Sequence, residues 1–349
     1  MYALAEAGHQ VYLAASRILI PDHPNMKILA GHNEKITPRQ IRMTVAKAAS
    51  AMKFDAVHAM DAAAPFCVQI CRVRKIKLIY DASRCFTGKF AQPISKRWKW
   101  FPNHYAAKER QLLRKADAVM VSQALLVSDL KSVYNDVEPV LMEDVPLQSL
   151  WPSRESGSAQ LNQRLEEPAS FLVVCCVDGA SHSNLRKLLM AARKVIDTLP
   201  GVSVVFRGLS AEAAEPMAVS LDIGKRCCFL GPDEVELYLS ALDIASAALF
   251  VPDAEKRYVS PELFTLLNSQ APVVHVQDAA TDGMLSETNS VPVLLHTDSM
   301  AEGLLHVLQE PLFSLGLSTE ARQLMADHYS LSSFKHKLRM LYHETLNKT

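Results

Sequence analysis

The stretch FLVVCCVDGASHSNLRKLLMAARKVIDTLPGVSVVFR, Phe171–Arg207, decides the fold. It opens on seven uninterrupted apolar residues, Phe171–Val177, the pattern of a strand buried on both faces of a parallel sheet. Leu185–Thr198 follows with helical period, and Val202–Arg207 is a second β-branched run. Strand, helix, strand in about 37 residues is a βαβ unit, which needs a crossover of a dozen residues or more. The alternation continues downstream, with strands expected at Cys227–Leu230, Ile244–Leu249 and Val273–Val276 and helices at Ala211–Leu221, Glu234–Ala241 and Pro261–Asn268. The first half repeats the rhythm: strands near Gln10–Ala14, Ala56–Ala59, Lys77–Tyr80, Ala118–Val121 and Pro139–Met142, and helices over Pro38–Ala51, Ala64–Val73, His104–Arg114 and Gln123–Val133. A last segment, Ser330–Leu346, carries Leu331, Phe334, Leu338, Leu341 and Tyr342 at amphipathic-helix spacing.

Between the two series, Val145–Pro168 breaks into Pro, Ser, Gly, Gln and Glu, as linkers do. The reading is therefore α/β, with two Rossmann-like domains: residues 1–150, a linker at 151–168, a second domain at 169–329 and a closing helix at 330–349. The first nine residues read as the end of a helix rather than the start of a domain, so a segment upstream of them is expected.

The 349 residues suit two domains of ordinary size. Thirty-seven basic and 37 acidic residues leave a formal charge of zero, which disfavours a general nucleic-acid binder. A hydrophobic content of 49% argues against extensive disorder. The longest apolar runs fall far short of the ~20 residues of a membrane-spanning helix, and Glu6, His9 and Gln10 interrupt any signal-peptide core. A cytoplasmic location is the expectation. Seven cysteines, four of them in the adjacent pairs Cys175–Cys176 and Cys227–Cys228, sit in apolar stretches and read as buried reduced thiols. The 12 glycines are about half the usual ~7%, and neither G-x-G-x-x-G nor a P-loop occurs. No H-E-x-x-H or recognised zinc spacing is present, so no metal or other cofactor is expected.

Several phrases in order, LAEAGHQVYLAAS (Leu4–Ser16), FDAVHAMD (Phe54–Asp61), ADAVMVSQAL (Ala116–Leu125), VLMEDVPLQSLWP (Val140–Pro152), VSVVFRG (Val202–Gly208), CCFLGP (Cys227–Pro232), YLSALDIA (Tyr238–Ala245) and SPELFTLLNSQAPVV (Ser260–Val274), resemble the GT-B-fold glycosyltransferases, particularly the retaining family-four (group 1) sugar transferases. The resemblance implies two Rossmann-like domains facing a cleft, with a nucleotide-sugar donor on the second domain and an acceptor, here unidentified, beside the first. The family's Glu-x7-Glu pair falls on Arg257 and Thr265, with Glu255 and Glu262 the nearest acids. Its Arg and Lys cradle falls on Gly179 and Asn184, with His182, Arg186 and Lys187 beside them. A family histidine falls on Ser83, within YDASR.

The chemistry of transfer explains which side chains matter. The leaving nucleoside diphosphate gains negative charge, which cations and helix N-termini stabilise, and a carboxylate accepts hydrogen bonds from ribose or sugar hydroxyls. The expected donor set is Arg207, His182, Asn184, Lys187 and Thr265. Glu262 and Glu255 are the candidate catalytic carboxylates, and His58 and Ser83 the acceptor-side candidates. Each has a plainer structural alternative: strand-end charge for Arg207, helix cap for the Ser181–Asn184 turn, first-turn acid for Glu262, satisfied core residue for His58. Ser95–Lys115 carries seven cations against Glu109, with Trp98, Trp100 and Phe101 interleaved, suiting either peripheral contact with an anionic membrane or a solvated helix face with core aromatics. The alternative to an active transferase is a non-catalytic binding or scaffold protein on the same fold.

Overall fold

The computed structural model describes residues 1–15, 23–30, 37–60, 63–83, 85, 102–149, 160–161, 163–165, 169–177, 182–253, 259–278, 281 and 284–347. The chain divides into two compact units, Met1–Asp144 with Ser332–Thr349, and Val145–Leu331. The division falls at Asp144/Val145 where the sequence reading set 150, and the closing helix counts with the first unit. Most of the expected linker, 151–168, lies outside the described residues.

The first unit contains α1 (Tyr2–Glu6), β1 (Val11–Ala14), β2 (Met26–Ala30), α2 (Pro38–Ala51), β3 (Ala56–Met60), α3 (Ala64–Arg74), β4 (Lys77–Ala82), α4 (Pro102–Lys115), β5 (Ala118–Val121), α5 (Ala124–Val133) and β6 (Val140–Leu141). Helix α2 starts where its sequence demands: the Thr37 hydroxyl caps it, accepting the Gln40 N–H at 3.3 Å while the Gln40 side-chain Oε1 accepts the Thr37 N–H at 2.7 Å, and Pro38 occupies the first turn. Every strand pairing is parallel, but the strands form two sheets, β1-β2 and β3-β4-β5-β6. Among the described residues no ladder joins them.

The second unit is a single six-stranded parallel sheet. It runs β7 (Phe171–Val177), α6 (His182–Thr198), β8 (Val202–Arg207), α7 (Ala211–Ser220), β9 (Cys227–Leu230), α8 (Val235–Asp243), β10 (Ala247–Val251), α9 (Pro261–Leu267), β11 (Val273–Val276), β12 (Val291–Val293), α10 (Thr297–Gln309) and α11 (Pro311–His328); α12 (Leu331–Asn347) then returns to the first unit. The strand order, β12-β11-β10-β7-β8-β9, places β7 and β10 side by side although they are not consecutive. The chain leaves β7 toward one edge and resumes at β10 toward the other. That reversal is a topological switch point, where a doubly wound sheet opens a crevice at the carboxyl ends of its strands.

The core follows from the period-2 alternation of strands buried on both faces. Cys175 packs with Leu185, Leu188, Phe206 and Met300 on one face, and Cys176 with Tyr238, Phe250, Leu263 and Met325 on the other. None of the seven cysteines is in a disulfide and all are buried; burial raises the Cys67 thiol to about 11 and the Cys71 and Cys227 thiols to about 12. The two glycines that matter most mark close approaches. Gly208, directly after β8, has φ 90°, and a Cβ there would lie 2.0 Å from the Val177 carbonyl oxygen. A Cβ on Gly303 would come within 2.6 Å of Val293, so α10 lies tight against the sheet edge.

Candidate functional site

The carboxyl edge of the second sheet gathers most of the polar side chains that matter. Arg207 ends β8, and the Gly208 approach to β7 fixes where it sits. It is 7% exposed, and its guanidinium lies 4.4 Å over the Tyr238 ring, a cation–π contact. Its remaining bonds are long: Nη1 donates to the Gly231 carbonyl and Nη2 to the Pro232 carbonyl, both at 3.4 Å. Tyr238, from α8, is fully buried near Cys176, and burial pushes its phenol well above the ordinary value. The charges of Arg207 and Glu262 act on that phenol in opposite directions.

Beyond β9 the chain turns through Gly231–Glu234 into α8. Glu234 accepts the Gly231 N–H at 2.7 Å and an Arg164 N–H at 2.5 Å. Burial opposes the charge on this carboxylate. The Arg164 hydrogen bond, the Gly231 N–H and the charges of Arg164 and Arg207 outweigh it and hold Glu234 below the usual range.

Glu262 stands in the first turn of α9, half-buried, and accepts the Ser260 hydroxyl at 2.6 Å. Thr265, one turn on, is fully buried and internally bonded. Its hydroxyl accepts the Leu147 N–H at 3.1 Å and its carbonyl accepts Gln148 Nε2 at 2.7 Å, so it secures the 147–149 turn. Helix α6 begins at His182, just past the end of β7, with Asn184 and Lys187 half-buried in its first two turns. The side chain of His182 lies outside the described residues, as do Glu255, Arg257 and Gly179. Residues 95–101 of the Ser95–Lys115 segment are outside them too, and Pro102–Lys115 is α4.

The first unit has its own polar cluster at the carboxyl ends of β3 and β4. His58 Nδ1 lies 3.0 Å from the Tyr342 hydroxyl of α12, and Nε2 lies 3.4 Å from Asp81. The His9 ring stacks on Tyr342 with centroids 6.4 Å apart. Burial and then the charge of Asp81 push the Tyr342 phenol far above its ordinary range. Ser83 is half-buried two residues beyond Asp81.

Of the residues the sequence singles out, Arg207, Glu262 and His58 stand in these clusters; their neighbours Tyr238, Glu234, Arg164, Asp81 and Tyr342 are not among the candidates it offers. Asp81 lay within the quoted YDASR, and Glu234 at an expected helix start. Tyr342 had no local signal, because 284 positions separate it from His58. No group of three or more metal-ligating side chains occurs among the described residues. Nor, among them, is any helix long and apolar enough to cross a membrane.

No family model matches the chain, and no curated protein matches it in sequence. Solved structures do match. Sucrose-phosphate synthase from Thermosynechococcus elongatus is 17% identical, with a TM-score of 0.68 over 99% of this chain and 92% of that one. WaaG, a glycosyltransferase involved in lipopolysaccharide biosynthesis, is 14% identical, with a TM-score of 0.66 over 97% of this chain and 92% of that one. Anabaena HepE, solved in complex with UDP and glucose, is 12% identical, with a TM-score of 0.63 over 93% of this chain and 86% of that one. The likeness is one of fold: this chain is built, as the GT-B glycosyltransferases are, from two Rossmann-like α/β units.

Proposed function

We propose that the protein is a glycosyltransferase that takes a sugar from a nucleotide-sugar donor held by the second unit. The observation that carries this reading is Arg207, stacked on Tyr238, at the carboxyl end of β8 in a doubly wound sheet, with Glu262 in the first turn of the helix that follows β10. The start of α6 lies at the end of β7, beside the switch point. A parallel sheet takes its ligands at that edge. The complex of HepE with UDP and glucose, on a similar fold, supports the same ligand class here.

In this reading Arg207 and the N-terminal turn of α6, with His182, Asn184 and Lys187, meet the diphosphate, whose charge grows as the sugar leaves. Glu262, and Glu255 earlier in the chain, accept hydrogen bonds from ribose or sugar hydroxyls. Thr265 contributes through the backbone it fixes. His58 and Ser83 serve the acceptor side on the first unit, Asp81 and Tyr342 setting the orientation of the imidazole. The protein works in the cytoplasm, with Ser95–Lys115 as its surface for peripheral membrane contact.

The test is a thermal-shift titration against UDP, GDP and ADP, and against their sugar conjugates. A ligand at about 100 times its Kd raises stability by about 2.7 kcal/mol. One nucleotide is expected to shift the melt, and Arg207→Ala to weaken its binding at least ~10-fold through loss of a charge-assisted contact. A cooperative melt that no nucleotide moves would favour the non-catalytic binding protein instead.

A further inference from the structure

The Gly231–Glu234 turn holds an arrangement that the transfer reaction itself does not require. Glu234 is the residue before α8, yet it makes no side-chain cap to its own helix. Its carboxylate turns back onto Gly231 and Arg164. On the other side of Gly231 stands Arg207, a nearly buried guanidinium whose hydrogen bonds in the structure are two 3.4 Å donations to carbonyls. A guanidinium has five N–H groups, and a buried cation so weakly bonded is under-used. Gly231 is open in a telling way. Its backbone angle is one that any residue adopts, and the sole atom near the place of its Cβ is the Glu234 carboxylate oxygen, at 3.4 Å. Arg164 and the Gly231 N–H therefore hold one carboxylate, and Arg207 donates to the carbonyl of that same glycine, at the carboxyl ends of β8 and β9, where an anionic ligand would be received.

We propose that Glu234 is a displaceable internal anion, occupying a cradle of Arg164, Arg207 and the Gly231 N–H that takes a phosphate group of a nucleoside diphosphate when the donor binds. This rests on the nucleotide-sugar reading above and gives it a control element. While the site is empty, the carboxylate keeps Arg164 and the Gly231 amide bonded, and Arg207 rests on its two long carbonyl contacts. A phosphate, with more charge and more acceptor oxygens, takes over those donors, and Glu234 swings toward solvent.

The experiment is calorimetric titration of the full chain and of Glu234→Gln and Arg164→Ala with UDP and, separately, with inorganic pyrophosphate. Removing the competing charge should tighten both ligands roughly 5-fold, and removing Arg164 should weaken both by a similar factor, the scale of one partly screened charge pair. Should Glu234→Gln fold poorly, the native chain still decides the matter: saturating pyrophosphate should shift the Gly231 amide resonance in an 15N spectrum. Nucleotide binding to the native chain, with no tightening in Glu234→Gln and an unmoved Gly231 amide, would overturn the displacement and leave the donor reading intact. Pyrophosphate binding that tightens in Glu234→Gln, without nucleotide binding by any variant, would sustain the cradle and remove the nucleotide-sugar reading. Binding of neither ligand by any variant would overturn both.

Discussion

At the residue scale, Glu234 also has a consequence for acid stability. Its folded carboxyl titrates below the ordinary 4.5. A depressed carboxyl contributes stability that is fully present above its unfolded pKa and is lost as pH falls through its folded pKa. The difference in melting temperature between the native chain and Glu234→Gln should therefore hold steady from about pH 7 to about pH 5 and close below about pH 4. Thermal melts across that range check it, and a difference independent of pH would mean that Glu234 is charged and unassisted. The partnership itself was not legible in the sequence. Glu234 entered only as the first residue of an expected helix, and Arg164 lay in a linker-like stretch, 70 positions away and without period. Arg207 was legible because a charge directly after a buried strand has few places to be other than the sheet's carboxyl edge.

At the scale of elements, α12 does more than close the chain. Leu338 and Leu341 are buried with Val11, Ile79, Met120 and Met142 of the first unit. Lys335 pairs with Glu6 at 2.7 Å and Lys337 with Glu143 at 2.6 Å, and Tyr342 meets His58. Leu341→Ala should cost about 2–5 kcal/mol, the range for a buried leucine in a packed core, measured by denaturant unfolding followed in the first unit. A loss under about 1 kcal/mol would show that α12 packs loosely there.

The elements themselves were largely legible. Phe171–Val177, Val202–Arg207, Cys227–Leu230 and Val273–Val276 coincide with β7, β8, β9 and β11, and Pro38–Ala51 with α2, because doubly buried strands carry unbroken apolar runs and a proline-led helix announces its start. Ile244–Leu249 was drawn early: α8 runs on to Asp243, and the strand begins at Ala247. Elements with one-sided or diluted patterns escaped. β2 is a half-exposed strand, and β12 has three residues, one of them proline. Helix α11 buries Leu317 and Ala321 but leaves Leu312 84% exposed and Leu315 60% exposed, so no single stripe marks it.

For the whole molecule, two units with separate cores should not melt as one. The expected record is two transitions in calorimetry, with the cognate nucleotide moving only that of the second unit. A ligand that moves both equally would show that the units unfold together. The architecture of these units was readable from alternation alone, since strand–helix repeats without adjacent hairpins leave little besides parallel sheets. What alternation could not give was the split of the first unit's strands into two sheets, because pairing depends on partners distant in the chain.

The path of the chain between units has a consequence for biosynthesis. The first unit is left at Asp144 and rejoined at Ser332, so the second unit is an insertion within it. On the ribosome, where chains emerge at about 5–20 residues per second, the inserted unit has all its strands before the first unit has its final helix. The part of the molecule made first is therefore among the last to mature. Until α12 arrives, the apolar face around Ile79 and Met120 waits uncovered, a window in which a chaperone has something to hold.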